Sequence, residues 1–163
     1  MDYEYPDRPR VIPPNAAALQ ASWVHTLSTL VTPSFRPLIF ASEVHQLDDR
    51  GAAYLRQTRE EIFGVKLEEL APPGEKREAA IEKLKQSLTR LSTMLNANGS
   101  QEENARDWVM GSIGPTFADF ALGGLLRWFK LMGDPEVWSI IAAWNGGRWS
   151  RHLNQLEPWA YTQ

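Results

Sequence analysis

The stretch that decides the fold runs from Gly114 to Phe129 and reads GPTFADFALGGLLRWF. Thr116 follows a glycine–proline pair, and Asp119 stands three residues later. A threonine hydroxyl at a helix N-cap takes the amide of the third residue, and a carboxylate there reaches back to the N-cap amide. Thr116 and Asp119 therefore read as a capping box, with Asp in the usual Glu position. A negative charge in the first turn also suits the helix dipole. Behind it, Phe117, Phe120, Leu122, Leu125, Leu126, Trp128 and Phe129 make the segment apolar on nearly every side, with Arg127 and Lys130 near its end. A helix apolar all round belongs at the centre of a bundle, where its first amides meet no water and need acceptors of their own. Thr116 and Asp119 are thus structural capping residues of a central buried helix over residues 116–132. Gly123 and Gly124 mark a close approach of a neighbouring helix, at a cost in helicity.

The rest of the chain is helical in pattern too. Leu19, Trp23, Leu27 and Leu30 recur at steps of three or four behind Asn15, a good N-cap. Pro33 and Pro37 interrupt them, so either one helix bends there or two helices meet. Asp48 or Asp49 caps the next helix, Tyr54, Leu55, Ile62 and Phe63 supply its apolar face, and Gly64 suits its end. Ile81, Leu84, Leu88, Leu91 and Leu95 mark the clearest amphipathic helix, from Glu75 to Asn98. SQEENAR is a polar loop. After the central helix, Gly133-Asp134-Pro135 is a break, PEVWSIIAAW a short helix, Asn145-Gly146-Gly147 a turn and RWSRHLNQLEPW a last helix. No period-two alternation occurs. The fold class is all-α, a helical bundle of about six or seven helices. Residues 15–163 form one domain behind an extended, proline-rich lead-in over residues 1–14.

The chain has 163 residues, enough for one real core. With 43% hydrophobic and 23% charged residues it has an ordinary globular composition. A net charge of −3 argues against nucleic acid as a main partner. Cysteine is absent, which excludes a disulfide framework, a thiolate metal site and a cysteine nucleophile. No apolar run is long enough for a bilayer and the acidic start is unlike a signal peptide, so a cytoplasmic protein with no membrane partner is expected. Seven tryptophans point to a large aromatic core, a ligand cavity, or both.

Other constellations are weaker. His25, His45 and His152 form no HxxxH or HExxH pair, so no metal site is expected. Asp48-Asp49 lacks the third acid that magnesium-dependent isoprenoid chemistry would bring. Glu60-Glu61, Glu68-Glu69 and the run with Glu78, Glu82, Lys83 and Lys85 read as solvated faces. GSIGP lacks the pattern of a phosphate loop. Ser112 has no His or acid that sequence alone identifies as a partner. Arg148 and Arg151 either form a cation–π cluster with Trp144 and Trp149 or pack on a neighbouring helix.

GPTFADFAL resembles the start of the central helix in the C-terminal helical domain of cytosolic glutathione transferases, which carries Ser/Thr-x-x-Asp there. YPDRPRVIPPN resembles the interdomain linker of fungal members. RQTREEIFGVKLEELAPPGEKREAA and WNGGRW resemble the same fungal branch, so the resemblance covers nearly the whole chain. A complete member has an N-terminal thioredoxin-like domain holding most of the glutathione site and the activating Ser, Tyr or Cys. Nothing in this chain corresponds to that domain, so no catalytic residue is assigned. The resemblance implies glutathione as co-substrate where that half exists, and no cofactor within this chain. It also implies a hydrophobic-substrate site along the later parts of the first long helix and of the central helix. By position that site comprises Phe35, Arg36, Ile39, Phe40, Trp128 and Met132, with Trp23 added if the first helix bends at Pro33. The same positions also read as core, interdomain surface or dimer surface. The expected function is an apolar pocket for a hydrophobic small molecule. The alternatives are a glutathione-independent enzyme or carrier of fungal specialised metabolism, and a protein-interaction module; a homodimer is left open.

Overall fold

In a computed structural model, residues 10–99, 108–111 and 114–160 are described. Most of the lead-in, the SQEENAR loop and Ser112 lie outside them. Helix α1 spans Ala17–Thr26 and continues through a π-helical turn, Leu27–Val31, into α2, Thr32–Glu43. Then come α3 (Asp49–Phe63), α4 (Glu75–Leu95), α5 (Phe117–Met132) and α6 (Pro135–Leu156). Short 3₁₀ turns follow α3, α4 and α6. Among the described residues there is no strand, and no helix is long and apolar enough to cross a membrane.

The prolines do not split the first helix. Pro33 sits in the first turn of α2 and brings no amide hydrogen. The backbone absorbs this by widening the preceding turn, and Thr32 Oγ1 donates to the Leu27 carbonyl at 3.0 Å. Pro37 lies inside α2. Asn15 is not the N-cap of α1: it takes a left-handed conformation with φ 63°, and Ala16 occupies the cap position without a side-chain hydrogen bond. The buried face of α1 also differs from the apolar stripe in the sequence. Leu19 is 61% exposed whereas Gln20 is 1% exposed.

Helix α4 follows its pattern. Leu84, Leu88, Leu91 and Leu95 are buried, with Ile81 half-buried at the edge. It packs on α2 and α6, and a buried Ser34–Ser87 hydroxyl pair at 2.9 Å ties it to α2. In α3, Asp48 is the N-cap and its Oδ1 accepts the Gly51 amide at 2.7 Å. Leu55 is buried and Phe63 half-buried, but Tyr54 and Ile62 are each 67% exposed. The apolar face of α3 is thus narrower than its composition suggests. Gly64, φ 69°, ends the helix in the left-handed region that glycine adopts freely.

Helix α5 packs against α1, α2 and α6. Its interior stripe is Ala118, Asp119, Leu122, Gly123, Leu126 and Phe129. It is not buried on every side: Phe117 (44% exposed) and Leu131 (57%) share an outer face with the exposed Gly124. Those three positions are seven residues apart, two helical turns, and so fall on one side. Of the glycine pair, only Gly123 serves close approach, since a Cβ there would overlap Leu156 Cδ1 of α6. Gly124 has open space beside it.

Helix α6 starts on Asp134, which caps it by accepting the Glu136 amide at 2.8 Å and pairs with Arg77 at the start of α4. It breaks in the middle, where Asn145, Gly146 and Gly147 are all left-handed. The break aims Arg148 into the core, where it is 4% exposed. Its guanidinium donates to the Ser92 carbonyl at 2.6 Å and to Asn96 Oδ1 at 2.7 Å. A cation on the last carbonyls of a helix suits both their free lone pairs and the helix dipole.

Candidate functional site

The start of α5 is where the bundle's polar groups converge. Asp119 is fully buried and Thr116 is 2% exposed. Both halves of the capping box are in place. Asp119 Oδ2 accepts the Thr116 amide and the Thr116 hydroxyl, each at 2.8 Å. The remaining amides of the turn have acceptors too. Phe117 donates to the Val11 carbonyl at 2.9 Å, Ala118 to Gln20 Oε1 at 2.6 Å, and Asp119 to the Thr116 carbonyl at 3.0 Å. Asp119 Oδ1 accepts the Val109 amide at 2.7 Å, which fastens the segment before α5 to it. His152 Nε2 lies 3.2 Å from the Asp119 carbonyl oxygen. That oxygen can only accept, so Nε2 carries the hydrogen. These contacts cap the start of α5 and tie it to α1, to α6 and to the segment before it.

One open site among the described residues lies beside Trp128 of α5. A half-open cavity of about 320 Å³ is bounded by α2, α3 and α5. Arg36, Phe40 and Trp128 line it, joined by Thr32, Glu43, Leu55, Arg59, Ile62 and Phe63. The wall is built around Phe40, whose ring centroid is 5.8 Å from those of both Phe63 and Trp128, at tilted angles. Tilted aromatic contacts of this kind are worth about 0.5–1.5 kcal/mol beyond area burial and hold the rings in place. Trp128 Nε1 donates to Glu43 Oε1 at 3.2 Å, which fixes the indole against α2. The Arg59 guanidinium sits 5.5 Å from the Phe40 ring centroid.

The other positions assigned from sequence lie elsewhere. Phe35 and Ile39 are fully buried, and Phe35 packs edge-on against Phe129 at 5.1 Å. They are core because, one turn apart, they share the inner face of α2. Trp23 and Met132 are half-buried against the core, and the Met132 carbonyl accepts from Gln46 Nε2 at 3.0 Å. Neither lines the cavity. The contribution of α3 was not foreseen. Arg59 and Phe63 stand four residues apart and so share a face, which was the available signal; Ile62 lines the cavity beside them, whereas Tyr54 faces solvent.

The outer rim of α3 carries an ion-pair network rather than only solvated acids. Arg56 bonds Glu60 at 2.9 Å and Glu68 at 2.8 Å, and Glu60 also accepts the Leu67 amide. The Arg56 hydrogen bonds chiefly, then a backbone hydrogen bond, lower the Glu68 carboxyl to about 2. Glu68, then Glu60, push Arg56 above its ordinary value.

Comparison with known proteins places this geometry. The family model described as glutathione S-transferase, C-terminal domain, matches residues 18–159. The glutathione S-transferase-like protein ustS of Aspergillus flavus is 28% identical over 174 residues, covering 100% of this chain and 62% of the relative. A glutathione S-transferase of Ceriporiopsis subvermispora, crystallised with glutathione, superposes with TM-score 0.89 at 31% identity, over 99% of this chain and 63% of that one. Glutathione transferase GSTFuA3 of Phanerochaete chrysosporium gives TM-score 0.86 at 28% identity, over 99% of this chain and 62% of that one. The chain thus spans less than two thirds of the length of these relatives. The all-helical bundle, the capped central helix and the family match together make this chain a member of the glutathione S-transferase C-terminal domain family.

Proposed function

We propose that this chain is the ligand-shaping helical half of a glutathione transferase-like protein, offering a largely aromatic pocket to a hydrophobic small molecule. The observation that carries this reading is the cavity walled by Phe40, Phe63 and Trp128 beside α5. Concave sites lined by aromatic side chains with a few polar groups are where small molecules bind. Arg36, Phe40 and Trp128 are its ligand contacts in this reading, while Phe35 and Ile39 are core residues and Trp23 and Met132 stand outside the lining.

The chain does not activate glutathione by itself. Thr32 is the hydroxyl-bearing residue of the pocket lining, and its O–H is already donated to the Leu27 carbonyl. It therefore has no hydrogen left to stabilise a thiolate. Conjugation or glutathione-dependent reduction belongs to the assembly with a thioredoxin-like domain, and a cytoplasmic location goes with that chemistry. The relative crystallised with glutathione supports glutathione as the co-substrate of such an assembly.

A thermal-shift panel tests the reading, with glutathione, S-hexylglutathione, terpenoids and aromatic compounds against the purified chain. A ligand at about 100 times its Kd stabilises the native state by about 2.7 kcal/mol. Aromatic compounds are expected to raise the midpoint and glutathione alone to leave it unchanged. Saturable glutathione conjugation by the 163-residue chain would contradict the division of labour.

A further inference from the structure

We infer that the α2–α3–α5 pocket selects a planar aromatic ligand bearing one acidic group, the ring held by Phe40, Phe63 and Trp128 and the acid by the guanidiniums of Arg36 and Arg59. This rests on the small-molecule reading above and adds the sign of the ligand's charge. Arg36, Arg59 and Glu43 are the charged side chains of the pocket lining. Glu43 lines the pocket as well and is engaged by the Trp128 indole. Its Oε1 accepts from Trp128 Nε1, and its Oε2 is closed off from solvent. Two guanidiniums against one carboxylate leave the lining cationic.

Those arginines are also uncommitted. The ion pairs among the described residues join Arg56 to Glu60 and Glu68, Arg77 to Asp134, and Arg127 to Glu157. None engages Arg36 or Arg59. Arg36 is exposed at the pocket mouth, and Arg59 stands by the Phe40 ring, 5.5 Å from its centroid. A guanidinium stacked on a ring keeps its edge N–H groups for a planar acceptor. A carboxylate or sulfonate meets that edge with charge-assisted, often paired, hydrogen bonds. A cation would be repelled by the same two groups, and a neutral ligand would gain only the aromatic wall.

The test is calorimetric titration of the chain with 2-naphthoate, its methyl ester and 2-naphthol, repeated with Arg36→Gln and Arg59→Gln. Arg36 is exposed and Arg59 half-buried, so both variants are expected to fold; far-UV circular dichroism checks this. The acid is expected to bind about tenfold more tightly than the ester, the scale of one or two charge-assisted hydrogen bonds. That advantage, read as the ratio of acid to ester affinity within each protein, should shrink in high salt and fall toward one in either variant. Equal binding of acid and ester, with both lost in Trp128→Ala, would overturn the charge requirement and leave the small-molecule reading standing. Failure of all three probes to bind would overturn both.

Discussion

Gln20 Oε1 accepts the amide hydrogen of Ala118 at 2.6 Å, across 98 residues of sequence and between two different helices. Gln20 is 1% exposed, so this contact forms in the dry interior. It supplies an acceptor that the capping box cannot, because a box of two residues satisfies the N-cap and third amides and leaves the second unmatched. The position of α1 on α5 is therefore set by a polar contact as much as by apolar packing.

Gln20→Leu should destabilise the protein by about 1–3 kcal/mol, the cost of leaving a buried amide without a partner. Denaturant midpoints measure this. Leu19→Ala on the exposed side of the same helix should change the midpoint by less than about 0.5 kcal/mol. Equal effects at the two sites would mean the amide is not dry.

Asp119→Ala removes the acceptor of both the Thr116 and the Val109 amides. The expected loss is about 2–4 kcal/mol. Asp119→Asn keeps one amide oxygen and should lose roughly half as much. Hydrogen exchange adds a local readout, with the Val109 amide losing protection in both variants.

Gly124→Ala should stabilise the protein by about 0.5–1 kcal/mol, since the added methyl meets open space and glycine is a poor helix former. Gly123→Ala should gain nothing or lose stability, because its methyl must displace Leu156. Thermal unfolding of the two single variants distinguishes the neighbours. A gain at Gly123 would show that α6 has room to move.

The Arg56–Glu68 pair predicts a pH dependence. The carboxyl of Glu68 falls from its ordinary value of 4.5 to about 2 in the folded protein. A depressed folded value stabilises above the unfolded pKa and is lost as pH falls through the folded one. The advantage over Glu68→Gln should therefore be complete at pH 7 and should fade between pH 4.5 and pH 2. Both side chains are more than a third exposed, so screening holds the advantage to about 0.2–1 kcal/mol, and less in 1 M salt. An advantage that grows toward pH 2 would have the wrong sign.

What the sequence made legible follows from how local the physics is. The capping box of Thr116 and Asp119, the stop at Gly64, the turn at Asn145–Gly147 and the leucine ladder of α4 depend on neighbours within one or two turns, and all stand where the pattern put them. Gln20 was missed because its partner is remote and a polar residue inside an apolar stripe reads as surface. Leu19 and Tyr54 misled for the converse reason, being apolar side chains left facing solvent. The rotation of α1 and α3 about their axes is fixed by tertiary contacts, not by composition. The pocket suffered most from this. Its α2 and α5 walls followed from the family resemblance, whereas Arg59 and Phe63 reach it only through tertiary contacts with Phe40.

The central claim is that the aromatic wall beside α5 binds small molecules. The most direct measurement is the indole Nε1–H signal of Trp128 in ¹⁵N-labelled protein, assigned with Trp128→Phe and followed during titration with 2-naphthol. A saturable shift of Trp128, with the buried indole of Trp149 unmoved, is the predicted result. A Trp128 signal that stays in place up to the solubility limit, or a larger shift at Trp149, would contradict the account.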